Sequence, residues 1–166
     1  MYRSYGGLGG TEILVVLVIV LIIVLAIAIP YLLTLQRALE VTSPEVRSMS
    51  PGQVWLLLIP LFNLFWIFNV VRAIADAFEG EYRKRGIQLA DPRPTYNIGM
   101  AYATLNVSGT VLSYIPVIKI LGSVLGLASF VLWIIYWVKV AEHKNALKNS
   151  MPFYMPQQPQ GNQQQY

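Results

Sequence analysis

The chain has 166 residues, of which 55% are apolar and only 12% are charged. A soluble domain usually contains about 25% charged residues, so this composition predicts a polytopic membrane protein. The net charge of +4 comes from basic residues beside apolar runs, which favours anionic lipid over nucleic acid as the partner. The chain has no cysteine, which excludes disulfides, thiolate metal sites and a cysteine nucleophile.

The first apolar run covers residues 13–35 and follows a short Gly-rich tail, residues 1–12. It is longer than the core of a signal peptide, which has about 7–15 residues. The run also resembles the stalk of a type IV prepilin, because a cut after Gly7 would place Glu12 at the fifth mature position. Pilins continue with a soluble head, whereas this chain continues with more apolar runs. We therefore predict a first transmembrane anchor and keep a pilin-like component as an alternative.

The second run begins at a helix-start pattern, in which Ser50 suits the N-cap and Pro51 the first helical position. We predict one helix over residues 51–86, about 50 Å long, that crosses the membrane and extends into the cytoplasm. Oppositely charged residues spaced four apart are expected to pair on its surface. These pairs are Arg72 with Asp76, Glu79 with Arg83, and Glu81 with Arg85.

The third run, residues 98–115, is the weakest because it carries several polar side chains. Small or polar residues recur there at steps of three and four, which predicts a face that packs closely on another helix. A short turn, residues 116–119, leads to the fourth run and its cytoplasmic end, residues 120–148. The motif Gly122-x-x-x-Gly126 in this run permits close backbone approach. Residues 149–166 are rich in Gln and Pro and are predicted to be disordered.

These runs predict an all-α integral membrane four-helix bundle with a long second helix extending into the cytoplasm. Four spans would place residues 1–12, 87–97 and 149–166 on one side, with residues 36–50 and 116–119 outside. Nine basic residues would then lie on the side of the termini and three on the other. The positive-inside rule therefore predicts that both termini lie in the cytoplasm.

Catalytic patterns are scarce in this sequence. The only histidine, His143, lies between Glu142 and Lys144 at a predicted helix end, where a lone surface histidine is usually inert. No His/Asp/Glu cluster has the spacing of metal ligands. We therefore expect no catalytic residue, no cofactor and no metal site, and we predict that the protein is not an enzyme.

Polar groups at membrane depth are the first candidate site. Structural bonds and close packing between helices are expected from six residues, namely Asn63, Asn69, Asn106, Thr110, Gly122 and Gly126. The second candidate site is cytoplasmic, where basic residues are expected to bind anionic lipid headgroups or a partner. Its residues are Arg72, Arg83, Lys84 and Arg85.

Residues 44–148 resemble an uncharacterised family of bacterial multi-span membrane proteins. The resemblance rests on MSPGQVW at residues 49–55, on the I-P-x-F-N-x-x-W motif at residues 59–66, and on the closing tract at residues 133–147. The resemblance implies a bacterial cytoplasmic (inner) membrane as the location. The family carries no known activity, so it implies no activity here. The leading hypothesis is a non-enzymatic accessory or scaffold subunit that binds the bilayer and a membrane protein partner or a second copy of itself. The alternatives are a small transporter or pore and a pilin-like assembly component.

Overall fold

The computed structural model describes residues 9–150, and every regular element in that range is a helix. The four α-helices are α1 (Gly10–Glu40), α2 (Pro60–Lys84), α3 (Tyr96–Ser113) and α4 (Lys119–Asn149), with short 3-10 helices at Pro44–Val46, Pro51–Leu58 and Pro116–Ile118. The predicted all-helical fold is confirmed. The prepilin cleavage point after Gly7 and residues 151–166 of the predicted disordered tail lie outside the described residues.

Three helical stretches are long and apolar enough to cross a membrane: Gly10–Glu40, Pro60–Lys84 and Pro116–Asn149. The predicted third span, now α3, is a helix but is not one of these three. Its polar side chains lower its hydropathy, and α3 instead makes its most extensive packing against α4.

The predicted continuous helix over residues 51–86 is two elements, separated at Ile59. The start is as expected, since the Ser50 amide donates to Gln53 Oε1 at 3.0 Å. The 3-10 helix then ends at Ile59, whose ψ of 109° is extended. Proline disfavours a helical conformation in the residue before it and suits the first position of a helix. Pro60 therefore starts α2 instead of being accommodated within a longer helix.

The 3-10 helix Pro51–Leu58 runs back along α1, and α2 then returns. Trp55 Nε1 donates to Gln36 Oε1 at 2.7 Å, whereas Leu58 borders the same cavity as Val24. The 3-10 helix is thus antiparallel to α1, and the chain reverses at Ile59. We call residues 51–71 the Pro60 hairpin.

The carboxyl ends of α1, α2 and α4 meet at one end of the molecule. The Ser43 amide donates to Glu81 Oε2 at 2.7 Å, and Arg85 Nη1 donates to the Leu147 carbonyl at 2.6 Å. We call this the charged end and define it as residues 36–50, 72–95 and 139–150. Segments in direct contact cannot lie on opposite faces of a bilayer. The predicted alternation places residues 36–50 and the end of the second helix on opposite sides of a membrane, whereas these contacts join them at one end of the molecule.

The first half of α1 and the α3–α4 turn extend from the opposite end, which we call the apolar end (residues 10–24 and 111–124). Tyr31 packs edge-on against Trp133 with ring centroids 5.2 Å apart. Counting back along each helix at about 1.5 Å per residue, Gly10 lies about 30 Å from this contact and Lys119 about 20 Å. Every side chain from residue 13 to residue 23 is 46–63% exposed. Gly10 and Asn149 consequently lie at opposite ends of the molecule.

The hydrophobic core lies next to the charged end. It is formed by the second halves of α1, α2 and α4, and its centre contains Leu35, Leu39, Ile74, Phe78 and Val140, all 0% exposed. Burying a side chain of this size contributes about 1.5–3 kcal/mol where water is the alternative. The charged end therefore has a buried core like that of a soluble domain, whereas the apolar side chains of the apolar end are exposed on the surface.

Candidate functional site

Glu81 and Arg85 form a buried ion pair that joins three parts of the chain. Their side chains are only 5% and 14% exposed, and Arg85 Nε lies 2.8 Å from Glu81 Oε1. The other Glu81 oxygen accepts the Ser43 amide, while Arg85 Nη1 donates to the carbonyl of Leu147 and to Ser150 Oγ at 2.7 Å. A buried pair with further hydrogen bonds of this kind holds elements together. Arg85, predicted to bind lipid, is thus occupied inside the protein.

The other three predicted lipid-binding residues differ in their contacts. Arg83 pairs with Glu79, one turn earlier on α2, as the spacing predicts. Lys84 Nζ lies 2.5 Å from Glu45 Oε2 and donates to Ser43 Oγ at 3.1 Å, so it ties α2 to the segment after α1. Arg72 is exposed and has no ion pair within residues 9–150. Of the four, Arg72 is the one left available for an outside partner.

The predicted Arg72–Asp76 pair is absent from the described residues because Asp76 pairs with Arg93 instead. Arg93 comes from the loop between α2 and α3. Its Nε lies 3.7 Å from Glu79 Oε2, and its guanidinium carbon lies 4.0 Å from the centre of the Tyr96 ring. The hydrogen bond to Asp76 raises the pKa of Arg93. Arg93 thereby fixes the loop onto α2, a role that sequence analysis missed because helical spacing reveals only partners within one helix.

The asparagines predicted to join helices make no such bond within residues 9–150. Asn63 Oδ1 is buried without a hydrogen-bond partner there, Asn69 is exposed, and Asn106 is half-buried. Thr110 Oγ1 donates to the Asn106 carbonyl at 2.8 Å, which is a bond inside α3.

Two other side chains form bonds between helices. Trp137 Nε1 on α4 donates to Thr34 Oγ1 on α1 at 3.0 Å. Ser129 Oγ, also on α4, donates to the Tyr102 carbonyl of α3 at 3.4 Å. These two hydrogen bonds from α4 to α1 and α3 thus come from residues that sequence analysis did not select.

Small residues form the contact between α3 and α4. A Cβ added at Gly109 would lie 3.1 Å from the Gly126 nitrogen, and one added at Gly122 would lie 2.7 Å from the Ser113 nitrogen. A Cβ at Gly126 itself would meet nothing within 4 Å. The two glycines of the Gly122-x-x-x-Gly126 motif are therefore not equivalent, since only Gly122 has no room for a side chain.

An apolar cavity of about 300 Å³ opens between α1, the Pro60 hairpin and α4. Its lining is mostly aliphatic and aromatic, and Asn63 and Tyr31 are among its few polar residues. A volume of this order is at the lower limit of ligand pockets. The interruption between the 3-10 helix and α2 at Ile59 lies next to this cavity, as does the unpartnered Asn63 oxygen. The irregular backbone of the hairpin therefore borders the cavity.

His143 is not the free surface residue that the sequence predicts. It is half-buried, and its ring lies 5.6 Å from that of Phe78. Its Nδ1 lies 3.1 Å from the Tyr82 hydroxyl. Among residues 9–150, no group of three or more His, Asp or Glu side chains could hold a metal ion.

No family model, curated protein or solved structure matches the chain. The resemblance of residues 44–148 to an uncharacterised membrane family stays a prediction.

Proposed function

We propose that the protein is a non-enzymatic accessory subunit of a bacterial cytoplasmic membrane, which binds anionic lipid or a membrane protein partner through its charged end. The observation that carries this proposal is that the basic residues lie at one end of the molecule and the exposed apolar surface at the other. Ten basic residues belong to the charged end, and Lys119 is the single basic residue of the apolar end within the described range. The ten are Arg37, Arg47, Arg72, Arg83, Lys84, Arg85, Arg93, Lys139, Lys144 and Lys148.

The same separation supports a membrane orientation. Basic residues near the ends of spans remain on the cytoplasmic side, so we place the charged end in the cytoplasm and the amino end of α1 outside. In this arrangement α1 crosses once, and α3 and α4 cross as a pair. The stretch from Ile120 to Val138 would cover about 28 Å, close to the roughly 30 Å of bilayer hydrocarbon. This replaces the expectation that both termini are cytoplasmic.

The Pro60 hairpin, which contains the first part of α2, would enter the bilayer in this arrangement. Its twelve α-helical residues, 60–71, would reach about 18 Å, which is too short to cross. Irregular backbone at membrane depth is tolerated where protein or a cavity surrounds it, and the reversal at Ile59 borders the apolar cavity. We therefore propose that the hairpin enters from the cytoplasmic face and returns to it.

Arg72 provides the test of partner or lipid binding. We expect an Arg72→Glu variant, purified from membranes in mild detergent, to retain less anionic lipid or less of a co-purifying membrane protein, as measured by mass spectrometry. An Arg83→Glu variant is the matched control, because Arg83 is exposed but already paired with Glu79. Equal retention by the Arg72→Glu variant and the unchanged chain would contradict the proposal.

One observation favours a second candidate, a small transporter or pore. A helix that starts within the bilayer beside a cavity is typical of substrate sites in transporters, and α2 starts at Pro60 next to the apolar cavity. Solute flux into liposomes that contain only this chain, lost in an Asn63→Leu variant, would favour the transporter. Absence of flux together with a retained partner would favour the accessory subunit.

A further inference from the structure

The amino end of α3 borders a pocket at the charged end that has both apolar and polar lining residues. The pocket has a volume of about 330 Å³ and is bordered by the first residues of α3, the loop before it and α4. Its polar lining residues are Asp91, Thr95, Asn97, Lys139 and His143. The apolar surface of α4 ends at Val138, which is 51% exposed, so this pocket lies where α4 passes from apolar to charged surroundings.

Thr95 is the unusual residue in this pocket. It has a φ of 72°, the one positive value for a residue other than glycine within residues 9–150, and β-branched residues seldom adopt this conformation. Thr95 occupies the N-cap position of α3, but its side chain makes no capping bond. It is only 6% exposed, and its Oγ1 is buried without a hydrogen-bond partner among the described residues. A buried hydroxyl normally has a partner, so a ligand in the pocket would supply the missing one.

Backbone amides in the first turn of α3 are further hydrogen-bond donors without an acceptor among the described residues, beside the Thr95 hydroxyl. The first bond that enters α3 is from the Gly99 amide to the Thr95 carbonyl at 2.9 Å. The amides of Asn97 and Ile98 have no acceptor within residues 9–150. Free amides and the positive end of the helix dipole together favour an anion at such a terminus. The unpartnered Thr95 hydroxyl lies at the same terminus.

The charged side chains that line the pocket indicate which kind of anion it would bind. Lys139 Nζ lies 3.7 Å from Glu142 Oε2, and Lys139 and Glu142 are 49% and 60% exposed, so this weak pair leaves the ammonium free to turn toward the pocket. Asp91 contributes a negative charge to the pocket, and its Oδ1 accepts a hydrogen bond from the Arg93 amide at 3.0 Å. One ammonium and one carboxylate suit a ligand that carries both charges better than they suit a doubly charged phosphate.

We propose that this pocket binds a phosphodiester that carries a primary amine, as in an ethanolamine headgroup. The phosphate accepts hydrogen bonds from the α3 amides, Thr95 and Lys139, while the ammonium pairs with Asp91. The position of the pocket at the end of the apolar surface of α4 favours a lipid as the source, and this choice rests on the proposed membrane function. A soluble phosphodiester with the same amine would use the same contacts.

The experiment measures lipid retention by native mass spectrometry of the full chain in mild detergent with added phosphatidylethanolamine, phosphatidylglycerol or phosphatidylcholine. The unchanged chain is expected to retain phosphatidylethanolamine preferentially. A Thr95→Val variant is expected to reduce this retention about tenfold, the effect of one lost hydrogen bond to a charged group. Thr104→Val, at an exposed position of α3, is the matched control and should change nothing.

Two further variants keep the proposal falsifiable if Thr95→Val folds poorly. Glycine adopts positive φ readily, so Thr95→Gly should leave folding intact and still lose the lipid. Asp91→Asn should remove the preference for phosphatidylethanolamine over phosphatidylglycerol, because the ammonium loses its partner. Unchanged retention in Thr95→Gly, or an unchanged preference in Asp91→Asn, would overturn the proposal.

Soluble glycerophosphoethanolamine distinguishes the two sources of ligand. Displacement of the lipid by this compound would assign the pocket to a soluble phosphodiester, whereas retention of the lipid in its presence would assign it to the membrane. Extraction of membranes with carbonate separates the two proposals. A chain that stays in the membrane but shows no effect of Thr95→Gly would refute the pocket alone, and a chain released by carbonate would refute the membrane function.

Discussion

Replacing Glu81 with Gln should destabilise the charged end more than any other change of a single charge there. The substitution keeps the size of the side chain but leaves the Arg85 guanidinium, only 14% exposed, without its carboxylate. Removing one partner of a buried pair costs about 3–5 kcal/mol. Arg85 keeps its bonds to Leu147 and Ser150, so we expect a value near 3 kcal/mol. For a chain of this length that corresponds to a lower Tm by about 6–12 °C.

The measurement is thermal unfolding in mild detergent, followed by circular dichroism. Glu79→Gln is the matched control, because Glu79 also has an arginine partner four residues later on α2, but Arg83 is 77% exposed. Exposed pairs contribute only about 0–1 kcal/mol. If Glu81→Gln lowers the Tm no more than Glu79→Gln does, then the buried pair does not hold the three elements together and the reasoning fails.

The close contact between α3 and α4 predicts that Gly122→Ala costs about 1–3 kcal/mol by overpacking, whereas Gly126→Ala is nearly neutral because its Cβ has open space. Equal effects in the same unfolding assay would refute this contact. The unpartnered Asn63 oxygen predicts that Asn63→Leu raises the Tm, because burying an unsatisfied amide costs about 1–3 kcal/mol. Asn69→Leu, at an exposed position, should leave the Tm unchanged, and a lower Tm in Asn63→Leu would mean that the amide has a partner.

The helical class of the fold follows from composition, and local patterns predict part of the charged end. The Glu79–Arg83 and Glu81–Arg85 pairs are present because both partners lie on one helix, where a spacing of four residues brings them together. The Asp76–Arg93 pair joins a helix to a loop. No periodic pattern in the sequence identifies a partner at that distance along the chain.

The break at Ile59 could have been recognised in the sequence. A proline nine residues after Pro51 removes one amide and restricts the residue before it, and the helix-start pattern at Ser50 then leads only into a short 3-10 helix. Hydropathy predicts one span for this apolar run because a hydropathy average does not detect a reversal of chain direction within the run. Hydropathy likewise does not indicate which ends of the helices meet. The contact between Ser43 and Glu81 shows that the carboxyl ends of α1 and α2 do.

The position of Thr95 also lies beyond sequence reasoning. Thr is a common N-cap residue, and nothing in the sequence indicates that its backbone is left-handed and its hydroxyl unused. The candidate pocket depends on α3 and α4 meeting at the charged end. Sequence analysis placed Lys139 and Asp91 only on the same side of the membrane.

The placement of the charged end is tested most directly by accessibility of single cysteines. The chain contains no cysteine, so each introduced thiol is the only one that reacts. Ser48→Cys and Gln88→Cys report on the charged end, and Val117→Cys reports on the apolar end, where Val117 is 92% exposed. Labelling with a membrane-impermeant maleimide is compared before and after lysis of cells that express each variant.

With the charged end in the cytoplasm, Val117→Cys is expected to be labelled in intact cells, while Ser48→Cys and Gln88→Cys both react only after lysis. Labelling of Ser48→Cys together with Val117→Cys in intact cells, with Gln88→Cys protected, is the pattern of four alternating spans. That result would contradict the placement of residues 36–50 and 72–95 together in the cytoplasm.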